Sequence, residues 1–155
     1  PGPQTLTVDA GANENIDRLR WVLGRATTYV GVMNYMGARF TGDDRALAPV
    51  VGEVAGRGLL YLDDGSSARS RARAFVAPDA PILQADLVLD ADTTPAAIDA
   101  RLDQLAAIAS ERGAAIATGT AFPTTVERVA AFARRARDKG IVLVPVSNLV
   151  RSGPQ

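Results

Sequence analysis

Gly31-Val32-Met33-Asn34-Tyr35-Met36-Gly37-Ala38-Arg39-Phe40 is the stretch on which the reading of the fold turns. It follows Tyr29 to Val32, a short apolar run that reads as a buried strand, and it sets Asn, Tyr and Arg among small residues. In α/β sheets, ligands bind at the C-terminal ends of strands, so a polar loop in this place marks where a site is sought.

The same strand–loop–helix pattern recurs on both sides. Asn13 to Ala26 carries Ile16, Leu19, Val22 and Leu23 at helical spacing, with Asn13 placed to cap it. Asp43 to Arg57 puts Leu47, Val50, Val51 and Val54 on one face, and Gly58 is the stop. Leu59 to Leu62 reads as a strand, Asp63 to Ser67 as its polar turn, and Ser67 to Phe75 as a short helix. Ile82 to Leu89 contains a further strand, clearest over Asp86 to Leu89. Thr94 and Pro95 open a long helix that ends near Gly113. Ala114 to Thr118 is a strand of small residues, Thr124 or Thr125 to Gly140 a last long helix, and Ile141 to Val144 a final strand. Strands alternating with helices of this length predict an α/β fold with a largely parallel sheet.

Composition sets wider limits. One domain is expected from 155 residues, and 47% hydrophobic residues suffice for a core. Seventeen basic side chains balance seventeen acidic ones, which leaves no basic footprint for nucleic acid. No apolar run approaches the length of a membrane span, and no signal peptide is visible. The chain has no cysteine, which excludes disulfides, thiolate metal sites and cysteine nucleophiles, and no histidine.

Several segments together resemble the divergent polysaccharide deacetylase family, a NodB-like branch of carbohydrate esterases. The Gly31–Phe40 stretch is similar to its signature loop, which in metal-binding members reads roughly V-N-N-H-M-G; Tyr35 takes the histidine position. Pro1-Gly2-Pro3-Gln4-Thr5-Leu6 resembles an entry segment P-G-P-G-T-L. Arg57 to Asp63 resembles R-G-L-x-F-L-D, and Asp86 to Asp90 resembles D-V-F-L-D. Gly140 to Ser147 matches G-I-x-L-V-P-V-S. Metal-binding members carry G-H-P where this chain has Gly119-Thr120-Ala121, so Thr120 takes the second histidine position. Their I-D-D-x-G segment would lie before Pro1.

The resemblance implies a NodB-like (β/α) barrel whose N-terminal strands are missing here. Residues 1–150 would form its C-terminal two-thirds, and 151–155 a loose tail. It implies carbohydrate chemistry on an N-acetylated polysaccharide or peptidoglycan fragment. It also implies a periplasmic or other extracytoplasmic setting, with a signal or anchor upstream of this chain. With Tyr35 and Thr120 in place of histidines, zinc affinity should fall severely, so no cofactor is expected. An all-oxygen metal site from Asp63, Asp86 or Asp90 stays open as the alternative.

The substrate-binding residues singled out are Asn34, Tyr35, Arg39, Asp63, Asp86, Thr120 and Ser147. A phenol at Tyr35 can stack on a sugar, and Asn34 offers donor and acceptor; equally, Tyr35 can fill the space of a histidine and tie the loop down. Arg39 can meet a substrate carboxylate or pair with Asp63, the bland reading being an internal ion pair. Asp63-Asp64-Gly65 serves as ligands, as a base, or only as a strand-ending turn. Thr120 and Ser147 read first as packing and capping residues, since no histidine exists to activate a hydroxyl. Arg69-Ser70-Arg71-Ala72-Arg73 is a local basic cluster, read as a solvated face or an anionic-polymer contact. Three functions remain: a degenerate glycan binder, an active deacetylase with an oxygen-rich metal site, and an adaptor for a cell-wall enzyme.

Overall fold

A computed structural model describes residues 2–77 and 80–151, with Arg151 as backbone only. The Pro1 end of the entry segment and the 152–155 part of the expected tail lie outside the described residues. The chain forms two compact units, Pro1–Gln84 and Ala85–Gln155. Each is a mixed α/β assembly with a small parallel sheet.

In the first unit, α1 (Ala12–Leu23) and α3 (Asp44–Gly56) pack together beside a three-stranded sheet. A single helical turn, α2 (Ala38–Thr41), precedes α3. The sheet order is β1 (Gly31–Met33), β2 (Leu60–Asp63), β3 (Ile82–Gln84), all parallel, with Gly31 opposite Leu60 and Tyr61 opposite Ile82. The predicted periodicity is what builds this core. Leu47, Val50, Val51 and Val54 of α3 meet Leu19 and Leu23 of α1, with Tyr61, Ala72 and Ile82 closing the cluster. Leu47 and Val54 are wholly buried, each contributing about 2 kcal/mol. That burial carries α3 past Pro49, which removes one helical hydrogen bond. Asp43 caps α3, its Oδ1 accepting from the Arg45 and Ala46 N–H groups at 2.9 and 3.0 Å. Gly58, with φ of +70°, follows the helix as predicted.

Two local expectations fail in this unit. Asn13 lies inside α1, and Gly11 occupies the cap. The buried polar residue is Asn15 instead, which exchanges two hydrogen bonds with the Thr7 backbone and so fastens the entry segment to α1. Ser67 to Phe75 forms only one 3-10 turn, Ala72–Phe75. Ser67 and Ser70 hydroxyls accept from the N–H groups two residues on, offering the backbone an alternative to the helix.

Glu53 of α3 joins Arg20 of α1 and Arg57 at 2.8 Å each. These guanidiniums, Arg20 first, hold its carboxyl down at about 2. A depressed folded-state pKa stabilises the fold above the ordinary glutamate value, and this stability disappears as pH falls from about 4.5 to about 2. Both arginines are about half exposed, so the contribution is screened to about 1 kcal/mol or less. In acid unfolding curves, Glu53→Gln should be less stable than wild type at pH 6 and equal to it near pH 2.

In the second unit, β4 (Leu87–Val88) pairs in parallel with β5 (Ala117–Thr118). Helices α4 (Pro95–Arg112) and α5 (Pro123–Ala136) pack against each other and enclose Ile98, Leu102, Ala106, Phe132 and Ala136 with Leu87 and Leu89. Pro95 opens α4 and Gly113, at φ of +83°, follows it, both as predicted. The strand expected within Ile82 to Leu89 is two strands, β3 in the first unit and β4 in the second.

The final strand expected at Ile141 to Val144 does not form among the described residues. Val142, Leu143 and Val144 are extensively exposed, and the chain next forms α6 (Ser147–Arg151). β-branched residues favour a strand only where a neighbouring ladder receives their backbone groups, and none does so here. Among the described residues, no helix is long and apolar enough to cross a membrane.

Candidate functional site

The loop after β1 is fixed by groups at the end of β2. Asn34 lies at its centre. Its Oδ1 accepts from the Tyr61 hydroxyl and the Asp64 N–H, both at 3.2 Å, and its Nδ2 donates to the Met36 carbonyl at 3.0 Å. Asp64 completes the clamp: its Oδ2 accepts from the Met36 N–H at 2.6 Å and its Oδ1 from the Ser66 N–H at 2.9 Å. Met36 is thereby held at φ of +57°, a left-handed conformation that costs a non-glycine residue about 1–3 kcal/mol. Gly37 follows at φ of +82° and starts α2.

This construction leaves Tyr35 pointing its bulk at solvent, with 79% of its surface exposed. Met33 and Met36 beside it in sequence are exposed as well. The loop thus offers an aromatic face and thioether groups on a backbone that hydrogen bonds keep rigid. Such a surface suits the apolar face of a sugar ring. Beneath it, burial and then the Asp63 and Asp64 charges push the Tyr61 phenol well above its ordinary value, so it stays a neutral donor to Asn34.

Asp63 is almost wholly buried and turned to structural work. Its Oδ1 accepts from the Gly65 N–H at 2.9 Å, and its Oδ2 accepts from the Ser70 hydroxyl. Arg39 pairs with Asp9 at 2.9 Å rather than with Asp63, and both side chains are about three-quarters exposed.

The second unit holds the other sequence-predicted residues. Asp90 ends the β4 segment, and its Oδ2 accepts from the Thr120 N–H at 2.6 Å and the Thr125 hydroxyl at 2.9 Å. Thr120 itself is exposed, beside Gly119. A Cβ at Gly119 would come within 3.3 Å of Thr125 and 3.6 Å of Asp90, so small residues here permit close packing of the loop. Asp86 sits before β4, away from the strand's C-terminal end. It binds the Ile116 N–H at 2.9 Å and Arg112 at 3.2 Å, bracing β4 against the segment before β5. Ser147 is partly buried at the start of α6. A hollow of about 500 Å³ lies against Leu89, Ala97, Arg101 and Gln104, and no sequence-predicted site residue lines it.

Among the described residues, no three His, Cys, Asp or Glu side chains come together as a metal ion requires. The sequence reading missed the roles of Asp64, Tyr61 and Met36 in holding the loop. Asp64 stood in the sequence as half of an Asp-Asp pair, and only the fold shows which of the two faces β1.

The family model described as divergent polysaccharide deacetylase matches residues 1–150. The chain belongs to this family. The divergent polysaccharide deacetylase chain is also similar to the crystal structure of an uncharacterized protein from Agrobacterium tumefaciens, with 43% identity over 96% of its own length and a TM-score of 0.90. It spans 61% of the length of that protein. No curated protein matches it. At this identity the shared fold is firm, and the divergent deacetylase family accounts for the order of segments from Pro1 to Val150.

Proposed function

We propose that this chain is part of a divergent polysaccharide deacetylase domain, a NodB-like (β/α) barrel, that binds glycan without hydrolysing it. Its ligand is an N-acetylated polysaccharide or peptidoglycan fragment of the cell envelope, met in the periplasm or another extracytoplasmic compartment.

The observation that carries this reading is Tyr35. It stands where the resemblance puts the family's histidine, on a loop clamped by Asn34 and Asp64, and its ring is largely exposed. The carboxylates nearest the loop are committed to backbone N–H and hydroxyl donors, and no described cluster supplies the three ligands of a catalytic metal. Under this reading no divalent ion or other cofactor takes part in binding.

The test is titration calorimetry with N-acetylated chitooligosaccharides, alongside an acetate-release assay after zinc, cobalt or manganese loading. Binding without acetate release is expected. Tyr35→Ala should weaken binding about tenfold, the loss of one aromatic contact of about 1.4 kcal/mol. Retained metal with acetate release would overturn the reading in favour of a deacetylase with oxygen ligands.

A further inference from the structure

The basic cluster of residues 69–73 is folded against the corner between α2 and α3. The Arg71 N–H donates to the Thr41 carbonyl at 2.8 Å, and the Arg71 guanidinium pairs with Asp44 at 3.0 Å. A Cβ on Gly42 would lie 3.4 Å from the Arg69 carbonyl, so the two segments touch. Arg45 follows Asp44 directly, and Arg73 opens onto the 3-10 turn packed against α3.

Arg45, Arg69, Arg71 and Arg73 therefore lie on neighbouring segments, and all four are exposed. Two carboxylates accompany them. Asp43 is occupied with the α3 cap, and Asp44 neutralises Arg71 alone. Among the described residues, Arg45, Arg69 and Arg73 have no acidic partner. A chain with equal numbers of basic and acidic residues has concentrated an unpaired positive charge here.

This corner is joined to the glycan-binding loop. Ser70, between Arg69 and Arg71, donates to Asp63 at the end of β2, and Asp64 next to it clamps Met36. From the other side, α2 connects Gly37 to the corner directly. The aromatic loop and the arginine corner are thus held by two neighbouring carboxylates.

We infer that the glycan recognised at Tyr35 is acidic, and that Arg45, Arg69 and Arg73 bind its carboxylates. This rests on the glycan-binding reading of the Tyr35 loop and names the chemical class of its ligand. Guanidinium groups match carboxylates in a bidentate geometry and are weakly hydrated, which favours short-range recognition of uronate-like groups. A nucleic acid would instead call for a charged field over the whole domain, which the balanced composition does not provide.

The experiment compares a hyaluronan tetrasaccharide, which carries both N-acetyl groups and uronate carboxylates, with neutral N-acetylchitotetraose by calorimetry at 25 and 150 mM salt. Wild type should bind the acidic oligomer more tightly, and increasingly so as salt falls. The double variant Arg69→Gln/Arg73→Gln should lose about fivefold or more of that affinity at low salt while binding the neutral oligomer unchanged. The control Arg134→Gln/Arg135→Gln, on α5, should leave both affinities intact. Neither pair of arginines is buried, so circular dichroism should show native melting for both variants. Unchanged affinity for the hyaluronan tetrasaccharide in the Arg69/Arg73 variant overturns the inference, as does a short single-stranded RNA that outcompetes that tetrasaccharide. Binding of the neutral oligomer alone also overturns it and leaves the glycan reading standing; binding of neither overturns both.

Discussion

Gly31→Ala should lower the stability of this chain by about 3 kcal/mol, and thermal unfolding should begin about 6–12 °C earlier. Gly31 opens β1 opposite Leu60, where the two strands approach so closely that no side chain fits. An added Cβ would stand 2.4 Å from the Leu60 carbonyl oxygen and 2.7 Å from its Cβ. The oxygen belongs to the backbone of the central strand, so no rotamer change relieves the contact. Either β1 separates from β2, losing the ladder, or the strain passes into the sheet. Both outcomes move Asn34, three residues on, out of reach of Tyr61 and Asp64. A control is Gly52→Ala, on α3, where an added Cβ meets nothing within 4 Å. That change should stabilise the helix by about 0.5–1 kcal/mol. Melting curves of the two variants with opposite signs would establish that the cost at Gly31 is steric. Equal melting temperatures for wild type and Gly31→Ala would refute the close approach.

Asp64→Ala should cost about 2 kcal/mol of stability and up to about tenfold in chitooligosaccharide affinity. The carboxylate is buried and accepts from the N–H groups of Met36 and Ser66. Its removal leaves these part-buried donors without a fixed acceptor, at about 1 kcal/mol each, the low end for unpaired donors. The Asp64 bond to the Met36 N–H opposes the left-handed strain there, so without it the loop would relax and Tyr35 would lose its fixed position. Asp64→Asn keeps a carbonyl acceptor and should recover part of both losses. Hydrogen exchange separates this mechanism from general unfolding: the Met36 amide should exchange faster in Asp64→Ala while amides in α3 keep their protection. Intact protection at Met36 would show that the clamp is dispensable.

The larger features were legible in the sequence because their causes are local. Leu47, Val50, Val51 and Val54 recur at helical spacing, and a helix that buries this face follows. Pro95 and Gly113 bracket α4 because proline suits a helix start and glycine tolerates the left-handed turn after its end. The family segments, read as an ordered series, correctly named the divergent polysaccharide deacetylase family. Local reading failed where two segments compete for the same backbone groups. Ser67 and Ser70 divert the helix expected at 67–75, and Val142 to Val144 carry strand-forming residues without a strand beside them.

The candidate site divides in the same way. Its residue types and its position after β1 followed from the sequence: Asn34, Tyr35 and Asp63 each end a strand or follow one. Which carboxylate serves the loop did not follow. Asp63 and Asp64 are adjacent, and successive side chains on an extended segment point to opposite sides, so one turns to Ser70 and the other to Met36. The partner of Arg39 was equally out of reach, since Asp9 is brought near it only by the path of the entry segment. Periodicity, caps and composition act over a few residues, and so the sequence by itself determined the α/β class, the long helices and the family. Contacts between residues about thirty positions apart depend on how strands are ordered and in what register, and so only the tertiary structure decided that Asn34 and Asp64 clamp the loop, that Tyr35 faces solvent, and that Arg71 reaches Asp44.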